Sequence, residues 1–372
     1  MKANKLLRAG AVAAACALSL ALSVGVGCAK RTAVKEVQVV SYVSTNSHVY
    51  SSTAEVVSAV ADTVVEISTE TVKTQWGAQY VVSGAGSGVI VGKADADNHY
   101  YIVTNNHVID GANDITVKTR GGVAYGAELI ATDDSADIAV IKITTSDELD
   151  IAVWGNSDDL QIGEDLLAIG NPLGSLGGTV TKGILSATGR TIEVGNYAMT
   201  LLQTDTAINP GNSGGGLFNM RGELIGVVNA KTTDEEIEGI CFAIPANTAK
   251  TVYDSLLQKG YLEGRATFNI TLAEGSISSG GLGSQSQSVV YVTEVGNVAD
   301  GTFKQYDRIY SIGGKTVSSV LDVNKALSGI AVGETVEVKV YRGTLTQSWG
   351  GNSISFSSDL TAFTVTAAQY GA

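Results

Sequence analysis

The sequence predicts a mainly β protein: two closed β-barrels in tandem, followed by a smaller α+β domain. Composition is the first reason. Of 372 residues, 44% are hydrophobic and 16% charged, with 44 Gly and 14 Tyr against 3 Pro. Such a chain can bury large cores and is not of the disordered class, and its many Gly, Val, Ile and Thr residues suit strands joined by turns. The second reason is spacing. Short apolar runs recur between turns: Gly88–Val91, Tyr101–Val103, Ile115–Val117, Ile138–Ile141, Leu166–Ile169 and Leu224–Val228. Barrel closure leaves such strands no bare edge. The third is length. Residues 53–262 exceed one small barrel, so two are expected, meeting near 146–162.

The chain begins with a targeting signal. Lys2, Lys5 and Arg8 precede an apolar run, Ala11–Val26, which is short for a membrane span and has the layout of an export signal over residues 1–27. Gly25-Val26-Gly27-Cys28 resembles a bacterial lipoprotein cleavage box with Cys28 as the lipid attachment point. Ordinary signal cleavage nearby and an uncleaved anchor are the alternatives. Each places the bulk of the chain on the outer side of the cytoplasmic membrane. Removing residues 1–27 takes away three cations and no acids, lowering the formal charge from −13 to −16. That charge favours solubility and argues against nucleic acid or anionic lipid as the main partner. Cys241 then lacks a cysteine partner and reads as a small buried strand residue; no zinc pattern is present.

Residues 28–52 read as a tether. Ser51–Glu55 looks like a helix start, with Val56, Val57 and Val60 at helical spacing. Asn247–Leu262 reads as a helix with Val252, Leu256 and Leu257 on one face and Gly260 able to end it. The last domain, 264–368, is expected to hold strands at Val289–Val292, Arg308–Ile312 and Thr335–Val340, a helix at Val320–Leu327, and a mobile Gly275–Ser288 loop.

Chemistry concentrates in Asn209-Pro210-Gly211-Asn212-Ser213-Gly214-Gly215-Gly216. Glycines let a turn expose one hydroxyl and aim backbone N–H groups at the same spot, as a serine nucleophile with an oxyanion hole requires. A flexible surface turn is the other reading of that string alone. A base is also needed. Of the three histidines, His48 falls in the tether and His99 in a polar loop, which leaves His107, just after a strand. A histidine satisfied by local bonds would look the same. Asp137 opens an apolar strand, where a carboxylate needs a partner; Asp133 and Asp134 compete with it but read as solvated turn residues.

Thr104–Ile109, Ser135–Val140 and Pro210–Gly215, in that order, resemble the His, Asp and Ser motifs of the HtrA (DegP-like) family. The likeness runs on through Gly86–Ile90, Ile169–Gly174, Thr179–Ile184 and Gly222–Gly226, covering about 53–262. It implies a trypsin-like double six-stranded β-barrel and a serine endopeptidase with His107, Asp137 and Ser213 as catalytic triad. The oxyanion hole would lie at Gly211, Asn212 and Ser213, and no metal or organic cofactor is needed. Asn212 stands where digestive relatives carry Asp, so activation by an inserted N-terminus is not expected. Ala207 at the pocket base, with Val228, Asn229 and Ala230 as pocket wall, implies cleavage after small or medium aliphatic residues.

Phe303–Lys315 resembles a stretch of the PDZ domain that follows the protease in this family, with Tyr306 where Gly is usual. Its carboxylate-binding loop would be Phe268-Asn269-Ile270, with Asn269 in place of Gly; Asn tolerates positive φ better than most residues. Peptide C-termini are the expected ligands there, and a domain that only packs on the protease is the alternative. The resemblance further implies misfolded or unfolded envelope and secreted polypeptides as substrates and a homotrimer; the N-terminal signal implies attachment to the membrane through lipid or signal anchor. A processing protease for one signalling substrate and a non-catalytic chaperone or sensor are the other classes compatible with this architecture.

Overall fold

The computed structural model describes residues 39, 41–43, 48–75, 78–94, 98–171, 178–209, 211–230, 239–278, 286–296, 302–348 and 351–371. The export signal, Cys28, most of the tether and Pro210 lie outside them. Among the described residues no helix is long and apolar enough to cross a membrane.

Ser52 caps the first helix, Thr53–Val60, by accepting the Glu55 N–H, while the Glu55 carboxylate accepts the Ser51 N–H at 2.9 Å. This reciprocal capping satisfies amides that the first helical turn leaves free. Val56 and Val60 turn inward to the core.

The first sheet has seven strands. In spatial order they are Ala124–Gly126, Asp114–Lys118, Val64–Gln75, Ala78–Ala94, His99–Thr104, Ile138–Thr144 and Glu128–Asp133. Ala124–Gly126 and Glu128–Asp133 are separated only by Ala127, so they are two parts of one strand: the first pairs with Thr116–Lys118 and the second with Ile138–Lys142, which closes the six expected strands on themselves. Alternation puts Val65, Ile67, Ile90, Ile102, Ile141 and their neighbours into one buried cluster.

The second sheet closes into a ring. Glu223–Asn229, Gly216–Asn219, Asp165–Gly170, Thr179–Val194, Tyr197–Thr204 and Cys241–Pro245 pair in turn, and the last pairs back onto the first. Two short strands, Tyr42–Val43 and Val153–Trp154, add to it in parallel. The tether's Tyr42 and Val43 are therefore part of the sheet. Leu167, Ile169, Phe218 and Val227 share a core with Val89, Val103 and Val140 of the first sheet, so the two sheets bury one another's faces.

The helix Ala246–Lys259 follows, ended by Gly260 in the left-handed region at φ 79°. Beyond it, Ile270–Ser278, Ser286–Val295, Arg308–Ile312, Thr335–Ser348 and Gly351–Thr366 form a third sheet around the helix Val320–Leu327. Residues 275–278 and 286–288, expected in a mobile loop, are paired strand ends of a hairpin. Cross-strand pairing holds both arms in spite of their Ser and Gly content, and residues 279–285 lie outside the described residues.

Arg265, between the second barrel and this last body, reaches back more than a hundred residues. Its guanidinium bonds Asp133 Oδ2 at 2.8 Å, Asp134 Oδ1 at 2.5 Å and Tyr197 Oη at 2.9 Å, and lies over the Tyr370 ring. Burial opposes the Arg265 charge, but Asp133 and Asp134 outweigh it and raise its pKa. Burial also pushes the Asp134 carboxyl up, and the Tyr197 hydroxyl and Arg265 bring it below its ordinary value. Asp133 is only 1% exposed. It is a buried ion-pair member, not the solvated turn residue expected, because a distant arginine supplies the counter-charge that local sequence cannot reveal.

Removing Arg265 leaves a buried carboxylate without its cation. Arg265→Ala is expected to cost about 3 kcal/mol in denaturant unfolding of the full chain. Asp133→Asn added to Arg265→Ala should restore part of that loss, a non-additivity read by a double-mutant cycle.

Candidate active site

The site forms where the two barrels meet. His107 lies in a short helix, Asn106–Ile109, directly after the strand His99–Thr104. Asp137 precedes the strand Ile138–Thr144 and has φ 51°, a left-handed conformation that only a few side chains tolerate. Five hydrogen bonds hold it there. Its carbonyl accepts Asn105 Nδ2 at 3.0 Å and the Asn106 N–H at 3.2 Å. Its carboxylate accepts the His107 N–H at 3.0 Å, His107 Nδ1 at 2.7 Å and Asn229 Nδ2 at 2.9 Å. With Nδ1–H donating to Asp137, His107 keeps Nε2 as its basic atom.

Asn229 was expected on a pocket wall beside Val228 and Ala230. Its side chain turns instead to Asp137 from the second barrel. Sequence offered no signal for this beyond a polar residue directly after the apolar run Leu224–Val228. Val228 is buried, Ala230 half-buried and Ala207 exposed; the Ala207 carbonyl accepts the Thr181 hydroxyl at 2.9 Å. Cys241 is a free, buried strand residue, and burial pushes its thiol pKa up.

Ser213 is 7% exposed, and among the described residues its hydroxyl makes no hydrogen bond to His107. Substrate-free sites commonly hold that contact open. The backbone around it is informative. Asn212 N–H donates to Asn209 O at 3.0 Å, Gly214 N–H to Val228 O at 2.9 Å and Gly215 N–H to Asn212 O at 2.9 Å. Among the described residues, the N–H groups of Gly211 and Ser213 have no such partner. The expected third member, the Asn212 N–H, is engaged within the loop and is not available as a donor. Gly211 and Gly214 sit at φ 97° and 81°, and a Cβ on Gly214 would overlap the Ser87 carbonyl oxygen. Glycine is required there by both conformation and space.

The Asn212 side chain is 1% exposed, and neither amide atom has a partner among the described residues. A charge in that slot would be uncompensated, which accounts for a neutral amide.

In the last body, Asn269 has φ 53° and Tyr306 φ 70°, so both take the backbone that the family's usual glycines would take. Phe268 is a core residue at 2% exposure, stacked near Phe303, and does not present its ring to a ligand. The Asn269 N–H donates to Thr267 Oγ1 at 3.0 Å. Ile270 lines a groove of about 640 Å³ between its own strand and the helix Val320–Leu327, bounded on the far side by Tyr197 and Ala198 of the second barrel.

Residues 86–227 match the trypsin-like peptidase domain family and residues 278–349 the PDZ domain family. Fold and site thus define a trypsin-like peptidase joined to a PDZ domain. The chain is 38% identical over 276 residues to the serine protease Do-like HtrA of Bacillus subtilis (strain 168), an alignment covering 70% of this chain and 61% of that one. It is 36% identical over 281 residues to the Do-like HtrA of Lactococcus lactis subsp. cremoris (strain MG1363), covering 70% and 68%. The solved structure of the HtrA-type protease AlgW with a decapeptide is similar at 29% identity and a TM-score of 0.53, over 86% of this chain and 99% of that chain. The chain belongs to the HtrA family of Do-like serine proteases. It spans about 61% of the length of its Bacillus HtrA relative.

Asn212→Asp tests the buried slot. An unfolded Asp titrates near about 3.9, and burial without a partner raises the folded value. Both states are protonated well below that pH, so the variant's deficit should be small in acid. It should grow as pH rises above about 4, to about 3 kcal/mol at pH 8 by denaturant unfolding.

Proposed function

We propose that the protein is a serine endopeptidase of the cell envelope, hydrolysing peptide bonds of unfolded or misfolded exported polypeptides. The N–H groups of Gly211 and Ser213, without partners among the described residues, on the loop that carries Ser213, together with the Asp137–His107 pair, are the observation that carries this reading. In the first step Ser213 Oγ attacks the substrate carbonyl, and His107 Nε2 takes its proton. The carbonyl oxygen becomes an anion bound by the two N–H groups. His107 returns the proton to the leaving amine, and the acyl group stays on Ser213. Water, deprotonated by His107, then releases the acid and frees the serine. Asp137 fixes the imidazole tautomer and stabilises its charged form, and Asn229 shares the Asp137 carboxylate.

The protease unit is taken as residues 53–262 and the PDZ unit as 264–368, preceded by a signal at 1–27 and a tether at 28–52. Lipid attachment at Cys28 would hold the enzyme on the outer face of the membrane. The periplasmic DegP-like endoprotease named for Bartonella henselae, 38% identical, supports an exported setting. A homotrimer is carried over from the family resemblance. The groove beside Ile270 is the place for a peptide C-terminus, although the Asn269 N–H must leave Thr267 before it can bind a carboxylate.

Purified protein should degrade casein, and Ser213→Ala should abolish degradation while leaving binding intact. Equal degradation by both would sink the nucleophile assignment. Asp137→Asn should lower kcat by about 10⁴-fold. In a peptide library, cleavage should follow Val, Ala or Ile; dominant cleavage after Arg or Lys would refute the pocket assignment.

A further inference from the structure

We propose that Ser87 is a positioning residue for the oxyanion-binding loop: its hydroxyl holds the Gly211 carbonyl and its N–H the Ser213 carbonyl, and together they fix the segment that carries the Gly211 and Ser213 N–H groups. The proposal rests on the reading of Ser213 as nucleophile.

Ser87 belongs to the first barrel, on the strand Ala78–Ala94, yet four bonds occupy all its polar atoms and three of them go to the second barrel. The hydroxyl donates to Gly211 O at 2.7 Å and accepts the Asn171 N–H at 2.8 Å. The Ser87 N–H donates to Ser213 O at 2.8 Å. The Ser87 carbonyl accepts the Thr104 hydroxyl at 2.7 Å. The residue has no exposed surface, so no water replaces a lost bond. The chain segment on either side of Asn212 is therefore pinned at both carbonyls by one serine.

Gly211 needs that pin. At φ 97° it has no Cβ to confine it, and glycine rotates between backbone wells at little steric cost. Two bonds oppose rotation of the Gly211–Asn212 peptide: Ser87 Oγ to Gly211 O, and Asn212 N–H to Asn209 O. They anchor the Gly211 Cα from its carbonyl side, and the Gly211 N–H on the other side of that Cα has no partner among the described residues. Glycine at 86 and 214 permits the approach: a Cβ on Gly86 would meet Val108 and the Ser213 carbonyl, and one on Gly214 the Ser87 carbonyl.

Ser87→Ala keeps the packing and removes the hydroxyl. With a peptide anilide carrying Val before the cleaved bond, kcat should fall about 10- to 100-fold and KM should move less than about threefold. A barrel-pinning role alone would not produce the second signature. A peptidyl trifluoromethyl ketone forms a hemiketal on Ser213 whose oxygen occupies the oxyanion position. Its ionisation, followed by 19F NMR, should shift upward by about one pH unit or more in Ser87→Ala. Ser87→Cys, which keeps a side chain in place with weaker bonds, should lie between the two and serves if Ser87→Ala unfolds. An active wild type with an unchanged kcat or an unchanged hemiketal titration in the variants overturns the proposal alone. A wild type that forms no hemiketal and cleaves no better than Ser213→Ala overturns the nucleophile assignment, and this proposal with it.

Discussion

The arrangement depends on Asp137 being held in a conformation it does not favour. A left-handed backbone costs an ordinary residue about 1–2 kcal/mol, and here φ is 51°. The opposing term is a set of hydrogen bonds to both ends of the residue. The carbonyl takes two donors from Asn105 and Asn106, and the carboxylate takes the backbone and ring of His107 and the amide of Asn229. Asn105 to His107 come from the first barrel and Asn229 from the second. Neither barrel alone can satisfy Asp137, so the aspartate is correctly set only when the two have mated.

The same mating sets the loop that carries Ser213. Ser87 of the first barrel holds Gly211 and Ser213 of the second through its Oγ and N–H, and its own carbonyl is held by the Thr104 hydroxyl within the first barrel. On its other side, the turn that ends in Asp137 begins at Asp133. That carboxylate accepts the Ser135 hydroxyl and the Ala136 N–H, then binds Arg265. A single five-residue turn is thus held from the active site at one end and from the start of the PDZ body at the other.

Much of this was legible in sequence because local rules govern it. Gly260 ends its helix, Ser52 starts one, and Val320–Leu327 is helical as its periodicity required. Asp137 stood out as a carboxylate at the mouth of an apolar strand. What stayed hidden depends on partners far along the chain. Asp133 looked solvated because nothing near it is cationic, and Arg265 gave no hint of its target. Asn229 sits 92 residues from Asp137, so no spacing rule links them. The long strand Gly351–Thr366 is masked in sequence because Ser357-Ser358-Asp359 interrupts its alternation, opposite a register shift between Tyr341 and Gly343.

The serine loop itself is best understood through what its amides do. Asn212, Gly214 and Gly215 each donate to a carbonyl, and the carbonyls of Gly211 and Ser213 each accept from Ser87. Against that satisfied surround, two N–H groups remain for something else. An unpaired amide is a standing cost of about 1–3 kcal/mol where water is excluded, and a fold with no use for it would rotate the peptide to recover the bond. Glycine at 211 makes such a rotation easy. The bonds from Ser87 to the Gly211 and Ser213 carbonyls anchor the segment around those amides, and the neutral Asn212 adds no ion pair that could lock the loop in another state. Among the described residues the two N–H groups therefore remain donors without a partner, as the proposed oxyanion site requires.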